Sequence, residues 1–186
     1  MNARWTVEPA EPHTPEAAAL LRLYLAEMIS RYYGRPTDEA EIDRHLADGH
    51  DSDDLAPPTG LLLIARRHGK AVGCIGVRRL DAETVELTRM FVRSDTRGAG
   101  GAAALLRSAE AAARETHARG IRLTTRKDLV EARTLYAKHG YTAIPPYGDD
   151  PLADHWFEKR LDDRGKTTAG TGSEVDLFTI RRTTQT

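Results

Sequence analysis

The segment Phe91-Val92-Arg93-Ser94-Asp95-Thr96-Arg97-Gly98-Ala99-Gly100-Gly101-Ala102 reads as a strand that enters a glycine loop and leaves directly as a helix. Unpaired backbone N–H groups at such a helix start, with the positive end of the helix dipole behind them, suit a diphosphate. Three glycines in four positions weaken a helix start, and they let the main chain approach an anion with no Cβ in the way. The competing reading is a helix cap built of small residues for close packing. Gly98-Ala99-Gly100-Gly101-Ala102-Ala103 also fits the loose dinucleotide pattern G-x-G-x-x-A. A nicotinamide-binding unit, however, carries that pattern after its first strand and places an acidic residue about 20 positions on. Here several strands precede the loop, and the next strand ends Thr124-Thr125-Arg126-Lys127, without the acid. The dehydrogenase reading therefore fails.

The elements that must hold this loop follow from patterning. A strand at 4–9 precedes a helix whose start is marked by Thr14 as cap and Pro15 at the first helical position. Leu20, Leu21, Tyr24, Leu25, Met28 and Ile29 recur at helical spacing. A short helix at 38–46 and an acidic, Pro-rich surface loop at 48–58 come next. Strands at 60–67, 71–80 and 84–93 are joined by the turns at His68-Gly69-Lys70 and Asp81-Ala82-Glu83. After the glycine loop, a long Ala-rich helix ends near Gly120. A strand at 121–125, a helix at 129–139 and strands at 141–144 and 155–161 complete the pattern. The order β-α-α-β-β-β-α-β-α-β-β implies an α/β (α+β) domain over 1–163, with a mixed, mostly antiparallel twisted sheet of about seven strands flanked by helices. Residues 164–186 read as a mobile tail, with one strand-like stretch at 175–180.

Composition bounds the function. The 186 residues suit one domain, and 40% hydrophobic with 30% charged residues is ordinary for a globular chain. A net charge of −1 argues against binding nucleic acid by bulk electrostatics. The longest apolar run, Leu61 to Ala65, is far short of the ~20 residues of a membrane helix, and the start of the chain has no apolar leader, so the expected compartment is the cytoplasm. Cys74, the single cysteine, excludes an internal disulfide and sits in a small-residue strand context. The seven histidines are scattered without paired ligand spacing, and no metal is expected.

Arg97-Gly98-Ala99-Gly100-Gly101-Ala102 resembles the acetyl-CoA signature R/Q-x-x-G-x-G/A of the GNAT superfamily. Glu86-Leu87-Thr88-Arg89-Met90-Phe91-Val92 looks like that family's fourth strand, and Ala132-Arg133-Thr134-Leu135-Tyr136-Ala137-Lys138-His139-Gly140-Tyr141 resembles its A-x-x-L-Y-x-x-x-G-F segment. The two motifs stand in the family's order, and the resemblance covers residues 4–161. Leu129 departs from it, standing where many relatives carry an asparagine that contacts the cofactor. The resemblance implies an acetyl-CoA-dependent N-acetyltransferase acting by direct attack of a primary amine in a ternary complex. It implies Glu86 as the base that takes a proton from the amine, directly or through water, and Tyr136 as the acid beside the departing sulfur. It further implies that the backbone of Met90, Phe91 and Val92 holds the acetyl carbonyl and pantetheine arm, while Gly98, Ala99, Gly100, Gly101 and Ala102, with help from Arg97, bind the diphosphate.

Each role has a structural competitor. Glu86 could equally pair with Arg78 or Arg89 on a neighbouring strand, and Tyr136 falls on the apolar face of its helix. In the family the acceptor meets the first helices and the last hairpin, which here supply Tyr33, the acidic loop with Asp51, Asp53 and Asp54, and the stretch from Tyr147 through Asp154, His155 and Trp156. Acidic and aromatic groups suit a small, cationic amine such as a polyamine, an amino sugar or an amino acid derivative. A protein lysine or N-terminal acetyltransferase, and a non-catalytic module that binds acyl-CoA, are the other classes in play. A homodimer is compatible with the family, and no interface is legible.

Overall fold

A computed structural model describes residues 5–50 and 52–161; the tail, its strand-like stretch at 175–180 and Asp51 lie outside the described residues. The sheet has seven strands: β1 (Trp5–Ala10), β2 (Gly60–Arg67), β3 (Lys70–Arg79), β4 (Thr84–Val92), β5 (Gly120–Thr125), β6 (Thr142–Ala143) and β7 (His155–Arg160). Their spatial order is β1-β2-β3-β4-β5-β7-β6. Only β4 and β5 run parallel among the paired neighbours. The helices are α1 (Pro15–Tyr33), α2 (Glu39–His45), α3 (Gly101–Glu115) and α4 (Val130–Lys138). Strand and helix identities match the patterning throughout, with ends moved by a few residues. The one revision of kind is at 48–58, where the expected loop contains a π-helical turn, Leu46–His50, and a 3₁₀ turn, Asp53–Leu55.

The local causes are visible. The Thr14 side chain accepts from the Ala17 N–H, with Pro15 opening α1 as expected, and Asp38 caps α2 by accepting from the Glu41 N–H at 2.8 Å. In β2 the unbroken apolar run has both faces covered. Leu61, Leu63 and Ala65 join the core under α3, whereas Leu62 and Ile64 join the core under α1. Alternation along the strand therefore serves two cores at once, which explains why this strand carries no polar face. Buried Cys74 lies in the α1 core, where burial pushes its thiol up to about 12. Among the described residues, no helix is long and apolar enough to cross a membrane.

Two irregularities shape the centre. Cys74 pairs with Phe91 and Gly76 with Thr88, so Ile75 alone faces both Arg89 and Met90, and β4 bulges there. Arg89 takes φ 53°, a left-handed conformation uncommon for a side-chain-bearing residue. Just ahead of the bulge β4 and β5 separate. Their pairing runs from Thr84↔Gly120 to Leu87↔Leu123 and stops, although β4 continues to Val92 and β5 to Thr125.

The glycine loop divides its glycines between two tasks. Gly98 and Gly100 adopt φ of 76° and 89°, which favours glycine. Gly101 is required by packing instead: a Cβ there would lie 2.5 Å from the Trp5 ring. Trp5 lies over the start of α3 and its Nε1 donates to the Ala99 carbonyl at 2.7 Å. The expected anion-approach role of the glycines thus accounts for at most part of the triplet. Gly101→Ala should cost about 1–3 kcal/mol by overpacking. In a Trp5→Leu background the same substitution should cost measurably less, a coupling that urea denaturation of the four proteins would read; equal costs in both backgrounds would refute the contact.

Candidate active site

Where β4 and β5 part, a cavity of about 1170 Å³ opens, above the ~300–1,000 Å³ usual for one small ligand. Gly98, Gly100, Gly101 and Ala102 line one end, and Leu87 to Val92 line its length. The other end, at the start of β4, is built by Glu86, Arg78, Asp54 and Tyr147. Tyr24, Met28, Tyr32 and Tyr33 of α1 and Ala132, Leu135 and Tyr136 of α4 form the walls. The two walls are tied together: Arg31 pairs with Glu131 and donates to the Asp128 carbonyl at 2.8 Å. Arg126 is held by Asp128 at 2.7 Å, reaches the Met28 carbonyl at 3.1 Å and stacks under Tyr32.

Glu86 is only 6% exposed. Register places Arg78 directly beside it on β3 and Arg122 beside it on β5, and Arg122 in turn faces Glu158 on β7. One row across four strands therefore alternates in charge: Arg78, Glu86, Arg122, Glu158. Arg78 Nε donates to Glu86 Oε2 at 2.5 Å, and its Nη1 reaches Asp54 Oδ2 at 3.0 Å. Arg122 Nε donates to Glu158 at 2.8 Å. Tyr147, from the segment between β6 and β7, lays its ring 5.3 Å from the Arg122 guanidinium and donates its hydroxyl to Glu86 Oε1 at 3.0 Å. Burial, and then the Glu86 carboxylate, push the Tyr147 phenol well above its ordinary value. Glu86 pairs with Arg78, as the structural competitor expects, and it also lines the cavity.

Tyr136 is 5% exposed, and it both packs in the core and reaches the cavity. Its ring packs against Tyr141 and Phe157 at 5.7 and 6.3 Å, and the residue lines the cavity wall. Burial pushes its phenol well above the usual value, so the hydroxyl keeps its proton at neutral pH.

Other residues singled out in the sequence are distributed unevenly. Met90, Phe91, Val92 and Tyr33 line the cavity, as does Leu129. The Arg97 guanidinium is committed to protein partners, donating to the Val92 carbonyl at 2.8 Å and pairing with Glu27 at 2.5 Å. Ala99 does not line the cavity; its carbonyl is turned to Trp5. Asp154 and His155 stand apart from the cavity as well. Asp154 accepts from the Lys127 backbone N–H at 2.9 Å, fixing the turn after β5, and His155 is held by Arg133 at 3.2 Å. Asp53 pairs with His13 near the surface, and it is Asp54 that enters the cavity. Arg126 carries no local signal, and although the stretch from Tyr147 is expected near the acceptor, nothing local pairs Tyr147 with Glu86. Tyr147 lies 61 residues from Glu86, and only the sheet order brings them together.

Comparison with known proteins agrees with this architecture. Residues 19–141 match the model of the acetyltransferase (GNAT) family. An IAA acetyltransferase of Azospirillum brasilense is 35% identical over 126 residues, which span 61% of this chain and 82% of that protein. The crystal structure of a candidate acyl-CoA N-acyltransferase from Klebsiella pneumoniae superposes with a TM-score of 0.66 at 27% identity, covering 87% of this chain and all of that one. A GNAT acetyltransferase of Elizabethkingia anophelis, solved with acetyl-CoA bound, gives a TM-score of 0.58 at 19% identity, over 84% of this chain and 98% of the other. With the family match spanning most of the described fold, the chain belongs to the GNAT acetyltransferases and is an acyltransferase.

Proposed function

We propose that the protein transfers the acetyl group of acetyl-CoA to a primary amine of a small, cationic molecule by direct attack in a ternary complex. The observation that carries this reading is that Glu86 and Tyr136 face one cavity, which also reaches the glycine loop at the start of α3. The residues present fit the co-substrate. Gly100 caps α3 with no side-chain hydrogen bond, so the first N–H groups of a 15-residue helix keep their capacity for a diphosphate. On its β5 side, β4 beyond Leu87 has main-chain groups outside the ladder, suited to an extended pantetheine arm. Arg97 contributes by holding the end of β4 and the loop against α1 rather than by charge on the phosphate.

An alkyl ammonium, with a pKa near ~10.4, must lose a proton before its nitrogen can attack. Glu86 is the group to receive it. A backbone N–H of the 90–92 stretch, turned to the carbonyl oxygen, stabilises the charge that develops there. Tyr136 gives its proton to the departing sulfur and recovers one from the nitrogen. For the acceptor, the cavity end offers Asp54, Asp149 and Asp150 besides Glu86, with the rings of Tyr32 and Tyr33 alongside. The buried Oδ1 of Asp54 accepts no hydrogen bond, Arg89 Nη2 standing 4.0 Å away, and an ammonium would satisfy it. The Tyr147 segment reaches across to Glu86 and narrows this end, which favours a compact acceptor over an extended peptide. The name of the Azospirillum relative is in keeping with a small molecule.

Thermal denaturation with acetyl-CoA at about 100 times its Kd should show about 2.7 kcal/mol of added stability. Gly100→Glu should abolish that gain. No shift at millimolar acetyl-CoA would sink the reading, and a shift without turnover on any amine would leave a binding module. Thiol release should then be faster with spermidine, glucosamine or an amino acid amide than with neutral hydroxylamine; preference for hydroxylamine would remove the cationic acceptor. Glu86→Gln and Tyr136→Phe should each lower kcat by about 10²–10⁴-fold. The stabilisation by acetyl-CoA should persist in both variants.

A further inference from the structure

We propose that Tyr147, not Glu86 itself, is the group that touches the acceptor amine, and that it relays the amine's proton to Glu86. The inference rests on the acetyl-transfer reading above. The Glu86 carboxylate is almost wholly buried and each of its oxygens already accepts a hydrogen bond, Oε2 from Arg78 and Oε1 from Tyr147. Of these two partners, Arg78 is a donor only and cannot pass a proton on at any ordinary pH. Tyr147 is different in kind. Its hydroxyl donates to Glu86 and has lone pairs of its own, and the residue is half-buried on the cavity wall. A proton arriving at Oη can thus leave from the same oxygen toward Oε1.

The phenol is held in place from several sides. Arg122 on β5 lies under the ring, Arg78 on β3 and Asp54 on the 3₁₀ turn flank the carboxylate, and Asp149 and Asp150 follow on the same segment. Burial and the neighbouring carboxylate keep Tyr147 protonated at neutral pH, so it serves as a conduit rather than a standing base.

The step balances as follows. An N–H proton of the ammonium passes to Tyr147 Oη while the phenolic proton passes to Glu86 Oε1, leaving a neutral amine and a neutral carboxylic acid. The nitrogen lone pair forms the C–N bond to the thioester carbon. The C–S bond breaks with its electron pair on sulfur, which is protonated through Tyr136 at the expense of the second N–H. Glu86 then returns its proton to solvent, so one proton is released per acetyl group transferred.

With spermidine as probe, Tyr147→Phe should lower kcat/KM by about 10²-fold at pH 7. The deficit should shrink as pH rises toward the ~10.4 of an alkyl amine, because neutral amine is then supplied by the solution. The acetyl-CoA thermal shift should be unchanged in the variant. A wild-type rate in Tyr147→Phe, or a deficit equal at every pH, would overturn the relay. Loss of the thermal shift in the wild type would instead fell the acetyl-transfer reading beneath it. A crystal structure with coenzyme A joined through a thioether –CH₂–CO– link to spermidine decides the geometry without turnover. The amide nitrogen should lie within about 3.2 Å of Tyr147 Oη. Direct contact with Glu86 and none with Tyr147, or no binding of the analogue, would refute the proposal.

Discussion

The site depends on the failure of two parallel strands to stay paired. β4 and β5 are bonded through Leu87 and Leu123 and then diverge, although both continue. The bulge at Arg89 and Met90 re-aims β4 where the separation begins. The cavity lining gathers on this gap: the main chain of 88–92, the helix start that follows it, Glu86 among the last paired residues and Tyr136 on the wall. A continuous ladder would have satisfied the same backbone groups and left no cleft. The gap persists because the rest of the sheet is heavily packed on both faces, with α3 and α1 each covering its own set of β2 and β3 side chains.

Buried charge is the second constraint. A carboxylate as enclosed as Glu86 is costly without partners. Here Arg78 arrives by register from one neighbouring strand and pairs with it, and Tyr147, its ring laid on Arg122 of the other strand, donates to the remaining oxygen. The same network that lets Glu86 be buried also restricts what can reach it. Stability and access are therefore coupled at this position: a weaker network would expose the carboxylate and loosen the sheet centre. Elsewhere the fold uses the same device for structure alone, with buried Glu110 of α3 held by Lys159 of β7 and the Tyr141 hydroxyl.

The glycine loop shows how one motif can serve two physical ends. Gly98 and Gly100 answer a backbone requirement, and Gly101 answers the Trp5 ring on the other side of the chain. From sequence alone the three are indistinguishable, because a positive φ and a close neighbour both exclude a Cβ. Arg97 is a similar case. Its place in the motif suggests a phosphate contact, yet its guanidinium is spent on Glu27 and the Val92 carbonyl.

What the sequence determined by itself was whatever is encoded locally: the period of the apolar residues, the Thr14-Pro15 helix start, the hairpin turns, the strand–glycine–helix segment and, through the spacing of two motifs, the family. That Glu86 and Tyr136 would line one cavity was legible for the same reason, since each stands at a fixed offset within a short recognisable stretch. The tertiary structure alone decided which strands stop pairing and which distant groups meet. It joined Tyr147 to Glu86 across 61 residues and turned Asp154 and His155 away from the cavity. Such contacts are set by sheet order and register, which sum over many weak choices along the chain, and no single stretch of residues encodes them.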